Sequence, residues 1–250
     1  MQQLNVHLLP ERVSPDTLAG GTAVVIDALR ATTTIVYALA AGARAVVPCL
    51  TIDEARERAA HLPCGLTLLA GERGGLPIAG FDLGNSPAEF TAQRVGGRYV
   101  VLTTTNGTKA LLHCRAARRV LVAALANLSA VCAALEEDQR VDIVCAGTDG
   151  QATDEDLLVA GAIADRLAAG GGWRLDENAA RVCAAWQKLV REVSDEDATA
   201  RIIRTMSAAP GGRNLKQIGM AGDIEIAAQR DTCPIVAQFD AQTGEIRVLS

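Results

Sequence analysis

Carboxylates, guanidinium groups and hydroxyl-rich turns recur together along this chain: Asp27 with Arg30, Glu72 with Arg73, Thr103-Thr-Thr-Asn-Gly-Thr108, and Asp154-Glu-Asp156. Such a set suits a phosphorylated substrate. Carboxylate oxygens are the ligands magnesium prefers, guanidinium forks take up phosphate or carboxylate charge, and Thr, Asn and Gly turns supply hydrogen-bond donors. Phosphomonoester hydrolysis needs little beyond such positioning, charge neutralisation and an in-line nucleophile.

Several other phosphate chemistries fail on the letters. An Asp-x-Asp phosphatase is excluded because Asp27 is followed by Ala28-Leu29, and a Cys-x5-Arg phosphatase because Gln151 stands where Cys145 would need its arginine. The three histidines, His7, His61 and His113, are too scattered for a phosphohistidine enzyme or a zinc site. No G-x-x-x-x-G-K-[ST] loop is present.

The elements that must position these groups alternate between strand and helix. Tyr99 to Leu102 is an apolar, β-branched run that reads as a buried strand, and Thr108 opens a helical pattern through Leu111 and Leu112. At such a handover the helix N-terminus presents N–H groups and the positive end of its dipole, which favour an anion. Thr103, Thr104, Thr105, Asn106 and Thr108 stand beside those donors; the same residue types are also ordinary turn and cap residues. Val24 to Thr34, followed by the helix Ile35 to Ala41, has the same layout. With Thr34 laid on Thr108, the second copy is two residues shorter in its loop, and the pair reads as an internal strand–helix–strand repeat. Asp27 then lies at the carboxyl end of a buried strand, where open α/β sheets bind ligands, or else caps the following turn.

Ala70 to Pro87, with five glycines and two prolines, reads as a long loop carrying Glu72, Arg73, Asp82, Asn85 and Ser86. Ser86-Pro-Ala-Glu89 is at the same time a helix start with a capping box. Asp154, Glu155 and Asp156 open a helix; they complement its dipole or hold a divalent cation. Helices are predicted over about 177–192 and 195–208, the second capped by Ser194, while 211–219 reads as a loop with a short helical turn. The end, 234–240 and 245–249, alternates with period two and predicts a hairpin. The whole is one domain, residues 1–250: a three-layer α/β/α fold on a mainly parallel mixed sheet with an antiparallel edge.

A net charge of −5 and only 3 % aromatic residues exclude a nucleic-acid partner, which would need a basic face and stacking platforms. No apolar run is long enough for a membrane helix, and the N-terminus has no signal-like pattern. Seven cysteines, none paired as C-x-x-C and most in apolar surroundings, predict free buried thiols in a reducing, cytoplasmic setting. A homo-oligomer is compatible with all of this.

Val25 to Thr34, Leu69 to Gly75, Gly80 to Pro87, Leu102 to Thr108 and Cys145 to Thr148, in this order, together resemble the 2-phosphosulfolactate phosphatase family. The resemblance extends to Glu155-Asp156 and weakly to 215–223, and so covers nearly the whole chain. It implies a magnesium-dependent phosphatase of coenzyme M biosynthesis on an α/β/α fold, with those residues as motif positions. The expected reaction is removal of phosphate from 2-phosphosulfolactate or a close relative, a small multiply anionic ester. In this reading Asp27 is a magnesium ligand or the nucleophile, and Glu72 with Glu155 or Asp156 completes the Mg2+ shell. Arg30 and Arg73 hold phosphate and acid groups, and Asn106 stands with them at the reacting group. Asn85, Ser86, Thr104, Thr105, Gly107 and Thr108 bind the substrate. The competing expectation is a non-catalytic sensor of a phosphorylated metabolite, although carboxylates beside a phosphate would repel a merely bound anion.

Overall fold

The computed structural model describes residues 1–249. Its strands are β1 (Gln2–His7), β2 (Thr22–Ile26), β3 (Ala45–Cys49), β4 (Thr67–Arg73), β5 (Leu76–Pro77), β6 (Tyr99–Thr103), β7 (Arg119–Ala123), β8 (Arg140–Cys145), β9 (Trp173–Leu175), β10 (Ala237–Asp240) and β11 (Glu245–Val248). The helices are α1 (Pro15–Leu18), α2 (Ala31–Ala40), α3 (Ile52–Ala60), α4 (Ala92–Val95), α5 (Gly107–His113), α6 (Leu128–Leu135), α7 (Asp154–Ala169), α8 (Glu177–Val190), α9 (Asp195–Ala208), α10 (Pro210–Gln217) and α11 (Gly222–Ala227). None of these helices is long and apolar enough to cross a membrane.

All the strands join one mixed sheet in the order β5-β4-β6-β3-β11-β10-β7-β2-β8-β1-β9. Strands β2, β3, β6 and β8 are almost wholly buried, because helices cover both faces; this is why they read as unbroken apolar runs. Period-two alternation divides β2 between two cores. Val24 and Ile26 pack with α6, α7 and α8, whereas Ala23 and Val25 pack with α2 and α5. A third, smaller core lies under α3.

The repeat is present as β2–α2–β3 and β6–α5–β7. The first strand of each copy pairs in parallel with the last strand of the other, β2 with β7 and β6 with β3. The C-terminal hairpin sits between the copies. Because β10 is antiparallel to β7, β11 to β3, and the two to each other, the halves β4-β6-β3 and β7-β2-β8 run in opposite directions. The antiparallel hairpin, expected at an edge, is thus interior, paired on one side with β7 and on the other with β3, and it buries Phe239 and Ile246 in the core that α2 and α5 share.

Other local expectations shift for identifiable reasons. Helix α2 begins at Ala31, not at Thr34, because Thr32 and Thr33 donate their hydroxyls to the carbonyls of Asp27 and Ala28 and so join the first turn. This also corrects the alignment of the copies. Thr32 Oγ1 bonds both the N–H and the C=O of Asp27, as Thr108 Oγ1 does for Thr104, so Thr32 and not Thr34 is the counterpart of Thr108. Strand β4 runs on through Glu72 and Arg73, which are therefore not in a loop; its pairing with β6 ends at Gly71, and these two residues pair with β5. Ser86 makes no cap bond and Glu89 accepts from Gly84 N instead, so the capping box does not form. Residues 210–217 are a full helix: Pro210 starts it and Leu215 is buried, which outweighs the low propensity of Gly211 and Gly212.

Candidate active site

With the two halves inverted, α2 and α5 pack together, and their first residues meet at Asp27. Gly107 is the contact point. A β-carbon there would lie 2.4 Å from Ala31 Cβ and 2.6 Å from Asp27 Oδ2, so only glycine admits this approach. Asp27 and the Thr104–Asn106 turn are thus brought together by two helix N-termini, not by a single carboxyl edge of a parallel sheet.

Beside this junction is a cavity of ≈ 320 Å³. Of the expected site residues, Asp27, Arg30, Glu72, Asn85, Thr104, Thr105 and Asn106 line it. It is also lined by Gly74 and Gly75 of the β4–β5 turn and Thr148 after β8, motif positions that were given no role, and by Asp149 and by Pro210, Gly211 and Asn214 of α10, which the sequence reading did not single out. The Pro-Gly-Gly run was the available signal for the last group, since close approach to a ligand is one reason for clustered glycine.

Each carboxylate has a distinct environment. Asp27 is 8 % exposed, and Oδ1 accepts from Ala31 N at 3.2 Å. Burial pushes its carboxyl up to about 7, opposed by the Ala31 N–H and reinforced by the charges of Glu72 and Glu155. Glu72 ties the two loops of the other half together: Oε1 accepts from Thr105 N and Oγ1 at 2.7 and 2.9 Å, and Oε2 from Gly75 N at 2.7 Å. Asp156 is buried and braces the first half, taking Ala28 N on Oδ1 at 2.7 Å and Gly147 N on Oδ2 at 2.9 Å. Burial, then the charges of Asp27 and Glu155, push it well above the ordinary carboxylate range. Glu155 accepts from Gly211 N at 3.2 Å on Oε1, its buried Oε2 has no partner among the described residues, and burial raises it as well.

Six expected residues are not on the cavity lining: Glu155 and Asp156, which are buried behind it with the partners just given, and Arg73, Ser86, Gly107 and Thr108. Arg73 donates to Glu72 O, Thr103 Oγ1 and Leu50 O; successive strand residues face opposite ways, so with Glu72 on the cavity Arg73 lies on the other side. Ser86 Oγ donates to Asp223 Oδ1 at 2.5 Å. Thr108 is buried and clasps Thr104, and Gly107 serves by its lack of a side chain. The N–H groups of Asn106 and Gly107 are left without a protein acceptor among the described residues, and they are the donors an anion would meet.

Comparison with known proteins places the chain in a family. The sequence model described as 2-phosphosulpholactate phosphatase matches residues 7–242. The chain belongs to that family. It is a family of phosphoric monoester hydrolases, and the matched region contains every side chain of the cavity. A probable 2-phosphosulfolactate phosphatase from Deinococcus radiodurans is 39% identical over 255 residues, 99% of each chain. One of the same name from Symbiobacterium thermophilum is 42% identical over 227 residues, covering 90% of this chain and 93% of the relative. A third, from Thermotoga maritima, is 47% identical over 146 residues, 58% of this chain and 62% of its own.

Oxygen donors of this kind fit a hard divalent cation. Asp27 and Glu155 have unpaired oxygens, and the one guanidinium on the cavity, Arg30, is already paired to Asp223 at 2.6 Å. Among the described residues no three His, Cys, Asp or Glu side chains form a ready cage. Magnesium typically needs only one or two carboxylates, completing its octahedron with water and substrate phosphate.

Proposed function

We propose that this chain is a magnesium-dependent phosphatase acting on a small, multiply anionic phosphate monoester, 2-phosphosulfolactate, which it converts to sulfolactate and phosphate. The observation that carries this reading is the meeting of the α2 and α5 N-termini at Asp27. It sets unpartnered N–H donors beside mutually repelling carboxylates in one cavity. The names of the full-length relatives support the substrate.

In this reading the phosphoryl group lies against the Asn106 and Gly107 N–H groups and the Thr104 hydroxyl, with Arg30 supplying charged N–H donors, while the Thr105 hydroxyl stays bonded to Glu72. Asp27 and Glu155 would hold magnesium, whose positive charge would offset both the carboxylates and the developing charge of the transferring group. Glu72 and Asp156 keep the two junctions in register by accepting backbone N–H bonds, and both are positioning residues. Asp27 is either metal ligand or nucleophile; a trapped phosphoryl-enzyme in single-turnover experiments separates the two. Seven free thiols suit a cytoplasmic protein, and the resemblance places the reaction in coenzyme M biosynthesis.

Phosphate release from a panel of esters, with magnesium and with EDTA, tests the proposal. Magnesium-stimulated release from 2-phosphosulfolactate is expected. Tight phosphate binding with no turnover of any ester would instead make the protein a sensor.

A further inference from the structure

Arg30 is the one cationic side chain on the cavity, and it is 4 % exposed. Its Nη1 donates to Asp223 Oδ2 at 2.6 Å and lies 2.8 Å from Met220 Sδ, while Nη2 donates to Gly75 O at 2.6 Å. The Nε–H and one Nη2–H have no protein partner among the described residues. Those two donors are what the guanidinium has left to offer the oxygens of a phosphate or carboxylate.

Asp223 belongs to α11, far along the chain from Arg30, and is itself 4 % exposed. Its second oxygen accepts from Ser86 Oγ at 2.5 Å, so one carboxylate joins the β2–α2 junction, the Gly-rich segment before residue 87 and the C-terminal helices. Without that anchor the guanidinium has other carboxylates to turn to, since Asp27 and Glu72 line the same cavity. Pairing with either would take up the free donors, and pairing with Asp27 would also block the carboxylate read as metal ligand or nucleophile.

We propose that Asp223 is a positioning residue that holds Arg30 away from Asp27 and Glu72 and aims its free N–H pair at the substrate's anionic group. This rests on the phosphatase reading above, with Arg30 as anion ligand. Asp223 itself touches no substrate.

Asp223→Ala and Asp223→Asn, each made in the wild-type and in the Arg30→Ala background, test the assignment. KM and the inhibition constant for inorganic phosphate should rise about tenfold or more, the loss usual for a misplaced charged hydrogen bond, with a smaller change in kcat. In the Arg30→Ala background the same substitutions should add almost nothing. An unchanged KM and phosphate constant in a folded variant would overturn the proposal, as would an equal loss with Arg30 already gone. If the Asp223 variants do not fold, Ser86→Ala, which removes only the bond to Asp223 Oδ1, takes their place. A smaller rise confined to the Arg30-containing background is then expected, and no rise overturns the assignment. Calorimetric titration with inorganic phosphate separates this from the functional reading. A wild type that hydrolyses no ester defeats the latter, while its phosphate affinity relative to Asp223→Ala still decides the former.

Discussion

A β-carbon on Gly107 would stand 2.6 Å from Asp27 Oδ2, closer than any real β-carbon contact, and that near-collision ties the N-terminus of α5 to the carboxylate before α2. Gly107→Ala must push the two junctions apart. Overpacking of this kind costs about 1–3 kcal/mol, and a shift of the donors against Asp27 should lower kcat/KM at least as much as it lowers stability. Thermal unfolding and steady-state kinetics of the one variant check both.

Asp27→Asn should reduce turnover by orders of magnitude and yet stabilise the fold at alkaline pH. The carboxyl has an ordinary value of 3.8 and is raised to about 7 when folded, so between these values the native state binds the extra proton. Stability therefore falls as pH rises from 4 towards 7, by up to about 1.4 kcal/mol per pH unit, and stays reduced above. The amide is neutral throughout. Denaturant unfolding of both proteins from pH 4 to 9 should show curves that diverge with rising pH in favour of the variant; parallel curves would mean that Asp27 ionises freely.

Magnesium should offset the same repulsion. At pH 8 its addition should raise the Tm of the wild type by mass action and EDTA should reverse the rise. The rise should shrink in Asp27→Asn and in Glu155→Gln, which lack an unpaired carboxylate oxygen. Glu72→Gln and Asp156→Asn test a different role: each loses an acceptor for backbone N–H groups, so about 1–3 kcal/mol of stability should go with the activity.

Thiol chemistry should be silent. Cys145 is fully buried and its thiol is pushed well above the ordinary value, and burial raises Cys49, Cys114 and Cys132 to about 12. Only Cys64 is exposed. A native titration with a thiol reagent should show one fast site, and Cys145→Ala should keep near-normal phosphate release.

The strands were legible because most are buried on both faces and so carry uninterrupted apolar runs such as Ala23 to Ile26 and Tyr99 to Leu102. Asp27, Glu72 and the Thr104–Asn106 turn were legible as polar groups at the ends of those runs, and all of them line the cavity. Arg73 misled because strand β4 continues past its apolar part, and the alternation that turns Glu72 inward turns its neighbour away. The contribution of α10 was hidden by a Pro-Gly-Gly start whose local propensity is overridden by packing.

Composition and pattern alone determined the elements, their duplication and the chemical inventory, because hydrophobic period and turn chemistry are local properties. Which carboxylates share a cavity was decided only by the tertiary structure. A short C-terminal hairpin enters the middle of the sheet and reverses one copy of the repeat against the other. That pairing, which brings together Val46 and Ile246 two hundred positions apart, leaves no periodic trace in either strand, and it sets Gly107 against Asp27.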